Sequence, residues 1–185
     1  HLGGTPYAGS TRMYPIASAT AINIYYGSVV SVLGTGFVSP NLTVGTAAAP
    51  FVAGTVGVFV GCTFTDPGTG NVTFRQNWPT GTVTADAQAY VIDDPAVIFQ
   101  VQANGAVTAA DLGQCCSIIA QTTNTGNLTS GNSTTAANAA TTVAADAFKI
   151  VGFVDSPTST VGDAFTDLLV KFNPVAHAYT SGVGI

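Results

Sequence analysis

Val56-Gly57-Val58-Phe59-Val60-Gly61-Cys62-Thr63-Phe64 is apolar and β-branched at alternate positions, with glycine between. A period of two puts Val56, Val58, Val60 and Cys62 on one face of a strand and Gly57, Phe59 and Gly61 on the other. Glycine on that second face lets another backbone come close. The run Asp66 to Asn71 is glycine-rich and contains Asp66-Pro67-Gly68, a turn signal. Val72-Thr73-Phe74-Arg75 then returns, which predicts a hairpin. Asn77-Trp78-Pro79 ends it, with Trp78 expected as a core or interface anchor.

The same period recurs along the chain. Gln88 to Val91 predicts a strand closed by Asp93-Asp94-Pro95, and Ala96 to Gln102 predicts another. Asn104-Gly105 is a two-residue hairpin signal leading to Val107. Thr108 to Leu112 reads as one helical turn, and Cys116 to Ala120 as a short strand. Ala147 to Val154 and Asp167 to Asn173 alternate strongly. Upstream, Ala21 to Leu33 reads as a hairpin or a bulged strand, and Pro40-Asn41 as a turn. Residues 1–20 are rich in Gly, Pro and Ser and predict an extended N-terminal arm. Residues 121–142 are nearly all Thr, Asn, Ser, Ala and Gly and predict a long polar surface loop, a flexible excursion or an edge hairpin. The expectation is all-β: a sandwich or barrel of short antiparallel strands with little helix, in one domain over 21–185.

Composition sharpens this. The chain has no glutamate, nine aspartates and four lysines plus arginines, for a net charge of −5. The cations Arg12, Arg75, Lys149 and Lys171 are scattered, whereas a nucleic-acid binder clusters them, so no nucleic-acid partner is expected. Apolar runs are broken by Pro50, Gly54, Gly57 and Gly61, short of the roughly 18–20 residues of a spanning helix, and no membrane partner is expected. The first residue is His1 and no basic, apolar leader follows it, so an initial stretch is expected to have been processed away or to lie outside this sequence. Cys62, Cys115 and Cys116 have no metal-ligand spacing. Buried free thiols in a reduced compartment fit best, although a bridge from Cys62 to Cys115 or Cys116 stays open.

Catalytic patterns are thin. His177 is the one histidine away from the terminus and reads as a surface or interface residue. Gly-x-Ser-x-Gly does not occur. Asp93-Asp94 suits a polar strand end better than a glycosidase pair, because neighbours on a strand point to opposite faces. No catalytic, cofactor or metal residue is expected, and the chain reads as a structural protein rather than an enzyme. The expected interface residues are Arg12, Tyr14 and Ile16 in the arm, together with Trp78.

The phrases Val56 to Asp66, Asn77-Trp78-Pro79, Ile92 to Pro95, Val97 to Gln102, Phe148 to Phe153 and Leu169 to Pro174 together resemble minor virion proteins of tailed bacteriophages. The likeness spans about Val56 to Tyr179. It implies a β-rich head protein, made in the host bacterial cytoplasm and placed on the virion surface. Such a decoration (cement) protein would bind the major capsid protein as a homotrimer and brace the shell. A pilin-like or surface adhesin subunit, and a virion-associated carbohydrate-active domain, are the alternatives.

Overall fold

The computed structural model describes residues 11–119, 121, 126–154 and 156–182. Among the described residues, ten strands form two antiparallel sheets: β1 (Arg12–Pro15), β2 (Val29–Val32), β3 (Val38–Pro40), β4 (Thr55–Thr65), β5 (Val72–Arg75), β6 (Gln88–Ile92), β7 (Phe99–Gln102), β8 (Cys115–Cys116), β9 (Phe148–Phe153) and β10 (Asp167–Phe172). The first sheet runs β1-β6-β4-β2-β3 with β5 also paired to β4; the second runs β7-β10-β9-β8. The helix among the described residues is confined to single 3₁₀ turns at Ala109–Asp111 and Pro174–Ala176. The first of these is the turn expected at Thr108 to Leu112, held by a capping box between Thr108 and Asp111.

β4 is the backbone of the first sheet, and it carries two bulges. Val30 pairs with Gly57 and Ser31 with Thr55, which leaves Val56 unopposed; Phe59 pairs with Val91 and Gly61 with Tyr90, which leaves Val60 unopposed. Each bulge flips the alternation. Val56, Phe59, Cys62 and Phe64 therefore share one core cluster, while Val58 packs against a second. The expected single-face set Val56, Val58, Val60 and Cys62 is corrected accordingly. Gly57 and Gly61 sit at the bulges with φ of 152° and 139°, where a side chain is strained. At Gly57 a Cβ would also lie 1.9 Å from the Ile92 carbonyl oxygen.

The first core lies inside the curled first sheet. Ile24, Val30, Phe59 and Trp78 are its central residues, with Phe64 meeting the Trp78 ring edge-on at 5.2 Å. One bridge, between Ile16 and Val38, brings the two outer strands of this sheet together without closing a barrel. The second core lies between the sheets, where Val29 meets Phe148, Ile150, Leu168 and Val170.

Several local expectations are corrected. Ala21 to Leu33 is not a hairpin: Ile24 bridges to Trp78 and Tyr26 to Asn132 before β2 begins. Val38–Pro40 is a strand paired with β2, so the turn precedes it, at Leu33 to Phe37. Asn104-Gly105 joins no hairpin, because β7 pairs with β10 and the Asn104 N–H goes to the Ala137 carbonyl. The polar segment 121–142 is not wholly a surface loop either. Ala137 is 1% exposed in the second core. The Gln121 side-chain amide is buried and bonds both the N–H and the carbonyl of Val29, as a strand would.

Candidate interaction surfaces

β1 is an edge strand hydrogen-bonded to β6, so the described part of the expected arm belongs to the first sheet. Alternation along β1 turns Arg12 and Tyr14 toward Asp93, just beyond the end of β6. The Arg12 Nε lies 3.0 Å from the Asp93 carboxylate, and the Tyr14 hydroxyl donates to the same carboxylate at 2.9 Å. Tyr179 comes in from the C-terminal segment: its hydroxyl donates to Asp93 at 3.3 Å and touches the Tyr14 hydroxyl. The Arg12 guanidinium donates to the Tyr179 oxygen at 2.9 Å and lies over that ring, 5.4 Å from its centroid. Burial, followed by these hydrogen bonds, pushes the ionisation of Tyr14 well above the ordinary phenol value. The neighbouring Asp93 charge raises the pKa of Arg12. The groups placed on Asp93 are thus one guanidinium and two phenols, a clasp between the two ends of the described chain. Asp94 points elsewhere and accepts the Ala96 N–H at 2.8 Å.

Ile16 and Trp78 are placed differently from Arg12 and Tyr14. Ile16 is 3% exposed and Trp78 0%, both in the first core, so neither presents surface to a partner. Trp78 is the core anchor of the two readings offered for it. Its Nε1–H has no hydrogen-bond partner among the described residues. His177 corrects the surface reading: it is fully buried, and its Nε2 lies 2.9 Å from the Val56 carbonyl. A carbonyl only accepts, so Nε2 carries the proton and Nδ1 accepts the Tyr179 N–H at 3.3 Å. Desolvation lowers the His177 pKa. All three cysteines are free, with Cys62 in the first core and Cys116 in the second.

Two apolar surfaces stand out that no residue pattern had singled out. The first is β5, which among the described residues pairs on one side only, with the far end of β4. Val72 is 75% exposed and Phe74 61%, and Phe74 lies across the open space above Gly61 beside Tyr90, with ring centroids 6.1 Å apart. Met13, opposite Tyr90 on β1, extends the same face. The second is a groove of about 480 Å³ where the sheets diverge, walled by Val58, Val60, Ile92, Phe99 and Val101 and rimmed by Tyr26. None of its lining residues is charged. The signal was local only for β5 and β7, whose apolar residues alternate and which each have one paired neighbour among the described strands. Pairing partners, however, are not written in a single strand.

Among the described residues, no group of three His, Cys, Asp or Glu side chains is placed to hold a metal ion, and no helix is long and apolar enough to cross a membrane. No family model matches the chain, and neither the curated proteins nor the solved structures contain a significant match.

Proposed function

We propose that this chain is a non-enzymatic virion structural protein that binds the outside of a tailed-phage capsid and stabilises the shell. Its partners in this reading are the major capsid protein and further copies of itself, arranged as a trimer. The observation that carries it is the open edge strand β5, with Val72 and Phe74 exposed on a face that continues to Met13. Soluble proteins normally protect such an edge with charge, proline or a covering element. Here β5 carries one charge, Arg75 at its last position, whose guanidinium lies 3.8 Å from the Asp66 carboxylate. An uncharged pleated face loses little on desolvation when it is covered, because few ions have to leave water. Repetition on a symmetric shell lets many modest contacts act together.

Co-sedimentation of the purified chain with capsid shells lacking it tests the proposal. Wild-type protein pellets with the shells, and Val72→Asp and Phe74→Asp proteins with unchanged melting temperature stay in solution. Equal pelleting of all three, or of none, contradicts this attachment surface.

A further inference from the structure

We infer that the groove beside β7 is a strand-addition site for an extended, uncharged peptide segment of another protein chain. The edge of β7 carries the argument. The strand pairs with β10 in the register Phe99↔Val170, Gln100↔Leu169, Val101↔Leu168, and Ala103 continues the ladder by donating to the Thr166 carbonyl. Antiparallel ladders alternate, so Phe99 and Val101 direct their backbone groups at β10 and Gln100 and Gln102 direct theirs away. Two bonds on the far side agree with this phase. The Gln102 carbonyl accepts the Ala137 N–H at 2.9 Å, and the Asn104 N–H donates to the Ala137 carbonyl at 2.7 Å.

Beyond that point the neighbouring chain leaves β7. Ser133 turns to Tyr26, donating its N–H to the Tyr26 carbonyl at 2.8 Å. The Gln100 N–H and carbonyl and the Gln102 N–H are thus left facing the groove with no backbone partner among the described residues. A row of donor, acceptor, donor beside an apolar trough is what an added strand satisfies: backbone on the edge, alternate side chains in the trough. The volume, about 480 Å³, lies in the range of roughly 300–1,000 Å³ usual for ligand sites. The uncharged lining selects against charged side chains at the inward positions, because they would be buried without partners. A simple apolar molecule could fill the trough, but it would leave the edge groups unused. A peptide uses both.

The test uses the full 185-residue chain and a blocked hexapeptide of alternating valine and serine, followed by amide resonances. Saturable shifts and slowed hydrogen exchange at Gln100 and Gln102 are expected. Gln100→Pro removes the edge donor at a position where proline is tolerated, and should weaken peptide binding at least tenfold while the melting temperature holds. Val60→Asp, which places a charge in the trough, should weaken it similarly. Decanol serves as the apolar comparison. Binding of decanol but not the peptide, peptide binding indifferent to Gln100→Pro, or no binding of either probe, each overturns the assignment.

Discussion

His177 donates from Nε2 to the carbonyl of Val56, 2.9 Å away, and so fastens the C-terminal segment to the first bulge of β4. The bond matters because Val56 is the unopposed residue of that bulge, and the imidazole supplies its buried carbonyl with a donor. The neighbouring Ala178 N–H completes the attachment by donating to Thr55 at 2.7 Å. The imidazole sits between the rings of Phe172 and Tyr179, with centroids 5.2 and 5.3 Å away.

This arrangement holds the ring neutral. Protonating Nδ1 would set an N–H against the Tyr179 N–H, and burial already lowers the pKa below its ordinary value of 6.5. The unfolded chain then binds a proton that the folded chain refuses. His177 therefore adds stability above pH 6.5 that declines as pH falls toward the lower folded value. Thermal melts between pH 8 and pH 5 (about the range over which a histidine titrates) should show a falling melting temperature in wild-type protein. His177→Gln should be less stable at the upper end and flatter across the range, and parallel curves would contradict the role given to this ring.

Gly57 is the second consequence of the bulged strand. Alanine there combines a φ of 152° with a Cβ 1.9 Å from the Ile92 carbonyl. Strain of about 1–3 kcal/mol and overpacking of about 1–3 kcal/mol give an expected loss of roughly 2–6 kcal/mol for Gly57→Ala. Denaturant unfolding measures it. A loss equal to that of Gly70→Ala, where φ is also positive but nothing crowds the position, would show that the close approach of β6 is not what requires glycine.

Gln121 stands in for a missing strand. Its side chain accepts the Val29 N–H at 3.2 Å and donates to the Asn41 carbonyl at 2.8 Å, next to a buried cluster in which Asn41 donates to Ser31 and Thr55. Gln121→Ala leaves these groups unpaired and should cost about 1–3 kcal/mol. Chemical denaturation reads the change directly, and a neutral result would place water rather than the amide in this role.

Much of this was legible in the sequence and some was not, for reasons tied to particular residues. β6, β9 and β10 follow from alternation, because buried positions recur every second residue along them, and the β4–β5 hairpin follows from the Asp66-Pro67-Gly68 turn signal between two β-rich runs. The faces of β4 were not legible, since bulges at Val56 and Val60 depend on the pairing of β2 and β6 rather than on β4 itself. Val38–Pro40 hides as a strand because proline ends it without needing a ladder donor. Ala137 and Gln121 were missed because polar and small residues enter a core only when other elements supply their partners. Of the four expected interface residues, Arg12 and Tyr14 meet on Asp93, whereas Ile16 and Trp78 went to the interior, where their apolar area is best spent.

The cysteines give a prediction of reactivity. Burial pushes the thiols of Cys62 and Cys116 up to about 12, with Cys62 in the first core and Cys116 in the second. Cys115 is half-buried, near the surface of β8. Native protein at pH 8 should therefore modify rapidly at Cys115 alone, with the other two reacting only as the chain unfolds. Peptide mapping after a timed thiol label checks the order, and early labelling of Cys62 would contradict the packing of β4.

The most direct test of the proposed role is a count of this chain per major capsid subunit in purified virions, by quantitative mass spectrometry. Attachment over the whole shell predicts a ratio near unity or above. A few copies per particle would place the protein at a unique vertex or tail instead, and its absence from particles would contradict a virion role altogether.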